Sequence, residues 1–98
     1  YLFNGDFVDR GSFSVEVMLT LMAFKLHNPR CIFLNRGNHE SPDLTKMYGF
    51  EGEVLAKYCR PTYNLFLRMF NHLPLGAVLN KKVSFLVIFE EFVLINIV

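Results

Sequence analysis

An α/β fold is predicted by three features of this 98-residue chain. Two short apolar runs, Tyr1-Leu2-Phe3 and Cys31-Ile32-Phe33-Leu34, have the length and residue types of strands. Each leads into a polar island: Gly5-Asp6-Phe7-Val8-Asp9-Arg10-Gly11 after the first, Arg36-Gly37-Asn38-His39-Glu40 after the second. Between them, Val15, Met18, Leu19, Met22 and Leu26 recur at helical spacing. The order strand, loop, helix, strand is a β-loop-α-β unit, for which a right-handed parallel connection is the default. In such sheets, sites form where loops leave the carboxyl ends of the strands.

The elements follow in chain order. Residues 1–4 read as the first strand. Ser12 or Ser14 can cap a helix that runs to about Leu26, and Asn28-Pro29 stops it. Residues 31–34 are the second strand. Ser41-Pro42 is a cap with proline in the first turn, where its missing N–H costs nothing, and Gly49 ends the short helix that reaches Tyr48. Residues 51–58 and 62–72 read as two further helices separated near Pro61, and Leu73-Pro74 breaks the second. Residues 75–79 and 83–89 read as strands across an Asn80-Lys81-Lys82 turn.

Bulk properties narrow the function classes. The chain suffices for one small domain. It is 52% hydrophobic and 19% charged, so composition does not make it disordered. A net charge of +1 gives no reason to expect nonspecific nucleic-acid or membrane binding. Cys31 and Cys59 form no C-x-x-C pair and read as buried, reduced thiols of an intracellular protein, cytoplasmic or nuclear. The N-terminus lacks the basic and apolar regions of a signal peptide. The apolar run over residues 83–98 is split by Glu90 and Glu91, short of the roughly 20 residues a spanning helix needs. The chain opens inside a strand and without an initiator Met, as a piece of something larger would.

The chemistry resides in the two islands. Asp6 and Asp9 lie three apart in a loop held by Gly5 and Gly11. A carboxylate can bridge two divalent cations, one on each oxygen, and Asn38 offers a neutral hard oxygen. His39 can donate a proton to a leaving oxygen if a carboxylate orients it and keeps it protonated, and Asp9 is the natural candidate for that carboxylate. Arg10 carries the planar fork that grips phosphate. Taken singly, an Asp-x-x-Asp is usually turn chemistry and an Asn-His pair is usually surface. Arg36 and Glu40 read as braces that hold the second loop through ion pairs. His27, at a helix C-terminus, and His72, before the Leu-Pro break, stand outside the site.

Gly-Asp-Phe-Val-Asp-Arg-Gly and Arg-Gly-Asn-His-Glu resemble two signature motifs of the phosphoprotein phosphatase family of serine/threonine phosphatases. Residues 11–17 and Tyr48-Gly49-Phe50-Glu51-Gly52-Glu53-Val54 look most like the phosphatase 5 branch of that family. The resemblance covers residues 1–82, which are expected to be the N-terminal part of a metallophosphoesterase (calcineurin-like) domain, a β-sandwich flanked by helices. It implies hydrolysis of phosphoserine and phosphothreonine in proteins by a water activated between two metals, manganese, iron or zinc. It also implies site roles: Asp6 as the bridging metal ligand, Asn38 as a ligand of the second metal that also touches phosphate, His39 as general acid oriented by Asp9, and Arg10 on the substrate phosphate. Phosphoprotein substrates, and the chaperone link of the phosphatase 5 type, are the implied partners.

The family pattern also names donors that this chain does not contain: an upstream Gly-Asp-x-His-Gly segment, two downstream His ligands and a second Arg. Two protein donors fall short of the three or more that anchor a catalytic metal, so the isolated chain is expected to be inactive. Residues 83–98 depart from the family. Val83-Ser84 can be encoded by a splice-donor sequence, so the tail is expected to be intron read-through in preference to a divergent strand. Two other readings compete with the phosphatase segment. One is a non-catalytic truncated product acting as a decoy. The other is a different metallophosphoesterase, such as a dinucleoside polyphosphate hydrolase, against which the Tyr48–Val54 stretch argues.

Overall fold

Leu2–Phe3 (β1) and Phe33–Leu34 (β2) pair in parallel, Leu2 beside Phe33 and Phe3 beside Leu34, in the computed structural model, which describes residues 1–81 and the backbone of 83–86. Both strands are shorter than the apolar runs that predict them. The ladder lasts only where the two backbones lie side by side: the Tyr1 carbonyl accepts the Phe33 N–H at 2.9 Å and the Phe3 carbonyl accepts the Asn35 N–H at 2.9 Å. Beyond that, both chains turn into the polar loops. At the strand ends the Asn35 side chain donates to Asn4 Oδ1 at 2.9 Å, while its own carbonyl oxygen is buried without a partner.

Ser14–His27 (α1) connects the two strands. Neither Ser12 nor Ser14 caps it: Phe13 holds the cap position without a side-chain bond, and Ser14 is the first helical residue. The N-terminal donor is met from across the fold, where Glu53 Oε1 accepts the Val15 N–H at 2.9 Å. A carboxylate suits the positive end of a helix dipole better than a hydroxyl. Val15 and Met18 are buried, but Leu19 and Leu26 are 47% and 78% exposed. The helix is apolar on most sides, and only one side meets the core.

Pro42–Tyr48 (α2) follows its sequence signals. Ser41 Oγ accepts the Leu44 N–H, proline sits in the first turn, and Gly49 ends the helix at φ +114°. Phe50–Lys57 (α3) starts directly at Gly49, and Arg60–Phe70 (α4) carries Pro61 in its first turn, not as a break between helices. Gly76–Leu79 (β3) and Val83–Leu86 (β4) pair antiparallel with Leu79 opposite Val83; Asn80 and Lys81 supply the left-handed backbone of the turn. The remainder of the expected strand to Phe89, and of the apolar tail to Val98, lies outside the described residues.

The core forms where α1, α3 and α4 meet. Phe50, Phe66 and Phe70 cluster with Val15, Met18, Val54 and Tyr63, with the Phe50 and Phe66 rings edge to face at 5.2 Å. Val8, from the first polar loop, is buried in the same cluster, so that loop is anchored to the core at its middle. Cys31 and Cys59 are exposed and free, contrary to the expectation of buried thiols. Cys31 stands just before β2 and Cys59 at the cap of α4, both outside an interior already filled by helix-borne aromatic rings. No helix among the described residues is long and apolar enough to cross a membrane.

Candidate active site

The two polar loops lie against each other at glycines. A Cβ on Gly5 would stand 2.3 Å from the Gly37 nitrogen, and one on Gly37 would stand 2.2 Å from Asp6 Oδ1. Only hydrogen fits between backbones at that distance. The first loop is also bent into a conformation that side chains disfavour: Asp6, Asp9 and Arg10 have φ of +58°, +78° and +57°. Such a run persists only where its surroundings hold it.

Glu40 is the first of those holds. Fully buried, it extends beneath the loops; Oε2 accepts the Asp6 N–H at 2.8 Å and the Gly37 N–H at 2.7 Å, and Oε1 accepts the Phe7 N–H at 2.7 Å. Burial pushes its carboxyl above the usual range, against the three N–H groups that favour the charged form. The expected ion-pair brace is therefore corrected. Arg36 and Glu40 do bind each other, but Arg36 Nε donates to the Glu40 backbone carbonyl at 2.9 Å, leaving the carboxylate for backbone donors. Three converging N–H groups already occupy both carboxylate oxygens, so the Arg36 guanidinium bonds the backbone carbonyl instead.

Asp6 thereby presents its carboxylate outward, with Oδ1 accepting the His39 N–H at 3.2 Å. Asn38, partly exposed, precedes His39 on the same rim. Asp9 turns the other way, and its side chain is fully buried. Its Oδ2 lies 2.7 Å from His39 Nδ1 and its Oδ1 accepts the Phe50 N–H at 3.0 Å. Arg10 Nη2 lies 2.8 Å from His39 Nε2. A guanidinium only donates, so Nε2 is the acceptor and Nδ1 carries the hydrogen given to Asp9. In this arrangement Arg10 occupies Nε2, the ring nitrogen that faces away from Asp9.

All five expected residues, Asp6, Asp9, Arg10, Asn38 and His39, thus come together where the two loops meet, with Asp9 buried behind His39, while His27 and His72 lie away at the ends of α1 and α4. The oxygens of Asp6 and Asn38 fit a hard divalent cation in kind. In number they fill part of a coordination sphere, and no cluster of three or more His, Cys, Asp or Glu side chains suited to a metal exists among the described residues. Sequence reading missed the contribution of Tyr48, whose ring lies 5.4 Å from the His39 ring and 5.6 Å from the Arg10 guanidinium carbon. Its position beside Gly49, a helix-ending glycine, was the available signal.

The family model described as calcineurin-like phosphoesterase matches residues 1–96. Serine/threonine-protein phosphatase T of Schizosaccharomyces pombe is 56% identical over 88 residues, 90% of this chain and 18% of that protein. Serine/threonine-protein phosphatase 5 of Arabidopsis thaliana is 60% identical and that of Homo sapiens 59%, each over 85% of this chain and over 15% and 17% of the respective relatives. A solved Saccharomyces cerevisiae serine/threonine phosphatase, described as similar to human phosphatase PP5, superposes with a TM-score of 0.85 at 50% identity, over 86% of this chain and 27% of that one. The chain spans less than a fifth of the length of these curated relatives.

Proposed function

The chain belongs to the calcineurin-like phosphoesterase family, and we propose that it forms part of a serine/threonine protein phosphatase active site. The Asp9–His39–Arg10 constellation beside Asp6 carries the proposal. The named relatives, all serine/threonine phosphatases, support this reading over a dinucleoside polyphosphate hydrolase. The substrates are phosphoserine and phosphothreonine proteins.

Asp6 is proposed to bridge two metals and Asn38 to bind one of them; when bound, such metals supply an activated water and neutralise phosphate charge. The metals are proposed to be manganese, iron or zinc; of these, the two oxygen donors match manganese best in kind. The chain's own residues do the rest. Arg10 grips phosphate oxygens, which are stronger acceptors than an imidazole, and so leaves His39. His39 Nε2 is then free to take up a proton and deliver it to the leaving serine or threonine oxygen, while Asp9 holds the ring and balances its charge. Asn38 adds an amide contact to the phosphate.

Residues 1–82 are the proposed catalytic segment. The free thiols Cys31 and Cys59 are in keeping with a cytoplasmic or nuclear setting, and kinship with phosphatase 5 motivates the proposed chaperone link.

The test is a graft. Residues 1–82 replace the matching stretch of the Arabidopsis thaliana phosphatase 5, and phosphopeptide hydrolysis is measured with manganese. Turnover near that of the recipient is expected, with His39→Asn lowering it by about 10²–10⁴-fold. A folded graft without turnover, or one indifferent to His39→Asn, would overturn the assignment. The 98-residue chain alone, with two oxygen donors, is expected to show no such turnover.

A further inference from the structure

The junction Tyr48-Gly49-Phe50 between α2 and α3 touches the first polar loop from three sides. The Tyr48 carbonyl accepts the Arg10 N–H at 3.1 Å, the Phe50 N–H donates to Asp9 Oδ1 at 3.0 Å, and the Tyr48 ring lies against both Arg10 and His39. One residue makes this possible. Gly49, at φ +114° and ψ −9°, reverses the chain so that the carbonyl before it and the N–H after it meet the same loop. The two residues gripped, Asp9 and Arg10, are themselves left-handed non-glycine residues.

We propose that this junction is a positioning element, acting through Asp9 and Arg10, and that Gly49 sets the aim of the proton-transfer pair and of the phosphate-binding fork. The proposal rests on the roles given to those residues above. The Phe50 N–H is one of the donors of the first turn of α3 that have no partner within the helix, so it is available to fix the Asp9 carboxylate. The Tyr48 carbonyl holds Arg10 in a conformation that an arginine would otherwise leave. Phe50 is fully buried among Phe66 and Phe70, so the donor is carried on the rigid core.

Gly49→Ala tests this directly. No atom lies within 4 Å of the added Cβ, so the substitution acts through the backbone alone. Gly52→Ala is the control: it lies inside α3, also meets nothing within 4 Å, and strengthens the helix. The double variant offsets the loss of stability while keeping the altered backbone. Isotope-labelled 98-residue chains are followed by NMR at the His39 Nδ1–H resonance, which reports its bond to Asp9, and at Arg10 Nε–H during titration with inorganic phosphate. Gly49→Ala is expected to move the His39 resonance upfield and to weaken phosphate binding by about tenfold, the equivalent of roughly one hydrogen bond to a charged group. The double variant, as stable as the parent, keeps both changes. Return of both readouts to parental values in the double variant, or no change in Gly49→Ala, overturns the proposal. If the parent binds no phosphate, the Arg10 reading falls, and the His39 resonance alone decides for or against positioning.

Discussion

Glu40→Gln removes one acceptor from a site with three donors. The Glu40 carboxylate takes N–H groups from Asp6, Phe7 and Gly37 at 2.7–2.8 Å in full burial. If the amide oxygen replaces Oε2, the Asp6 and Gly37 donors keep a partner, while the Phe7 N–H faces an NH₂ group. A stranded buried donor costs about 1–3 kcal/mol. The two surviving bonds drop from charge-assisted to neutral, each losing on the order of 0.5–1 kcal/mol. Against this, a buried charge no longer has to be desolvated. The balance is a loss of about 2–3 kcal/mol, a large part of the stability of a small domain. Urea denaturation of the 98-residue chain measures it, and the amide resonances of Asp6, Phe7 and Gly37 locate it. Because the Asp6 backbone is what Glu40 holds, manganese affinity measured by paramagnetic broadening should fall about 10–100-fold. A stability loss below about 0.5 kcal/mol, well under the cost of one stranded donor, with the three amides unmoved, would refute the reasoning.

Other outcomes follow from the same geometry. Gly37→Ala places a methyl where Asp6 Oδ1 and Glu40 Oε2 already sit, so the loops must separate and the Asp6 and His39 amide resonances should both shift; unchanged resonances would show that the loops are not in contact. Lys57 binds Glu16 and Glu53, clasping α1 to α3, and its hydrogen bond to Glu16 raises the Lys57 pKa and lowers that of Glu16. The Glu16 contribution is present above its ordinary value of 4.5 and lost as pH falls through the lowered folded value. The Lys57 contribution is present below 10.5 and lost as pH rises through the raised one. Lys57→Met should therefore flatten the stability profile at both ends, and a profile of unchanged shape from denaturation series across pH would count against the clasp. The Cys59 thiol is held below its ordinary range by hydrogen bonds to Thr62, so near neutral pH it should alkylate faster than other exposed thiols, and Thr62→Val should slow it; equal rates in both proteins would contradict this.

Local signals were legible wherever the interaction stays within a turn of chain. Ser41, Pro42 and Gly49 bound α2 as their chemistry requires, because cap, ring and left-handed glycine act on neighbouring residues. The same reasoning failed at α1, where two serines were available and neither was used. A carboxylate 38 residues away in sequence, Glu53, met the donor instead. The thiols failed for a related cause. Cysteine is usually buried, but Cys31 and Cys59 fall in connections that run over the outside of the core.

The chain's residue order was enough to single out Asp6, Asp9, Arg10, Asn38 and His39, in two loops at the ends of two parallel strands. How they are held was settled by packing. Glu40 clamps the loops through backbone donors, the Tyr48–Phe50 junction grips Asp9 and Arg10, and Arg10 rests on His39 Nε2. These contacts join residues 29 to 41 positions apart. A side chain's local propensity is set by the few residues around it, whereas a partner at that separation exists only after α1, α3 and α4 have packed on one core and brought the loops into hydrogen-bonding contact.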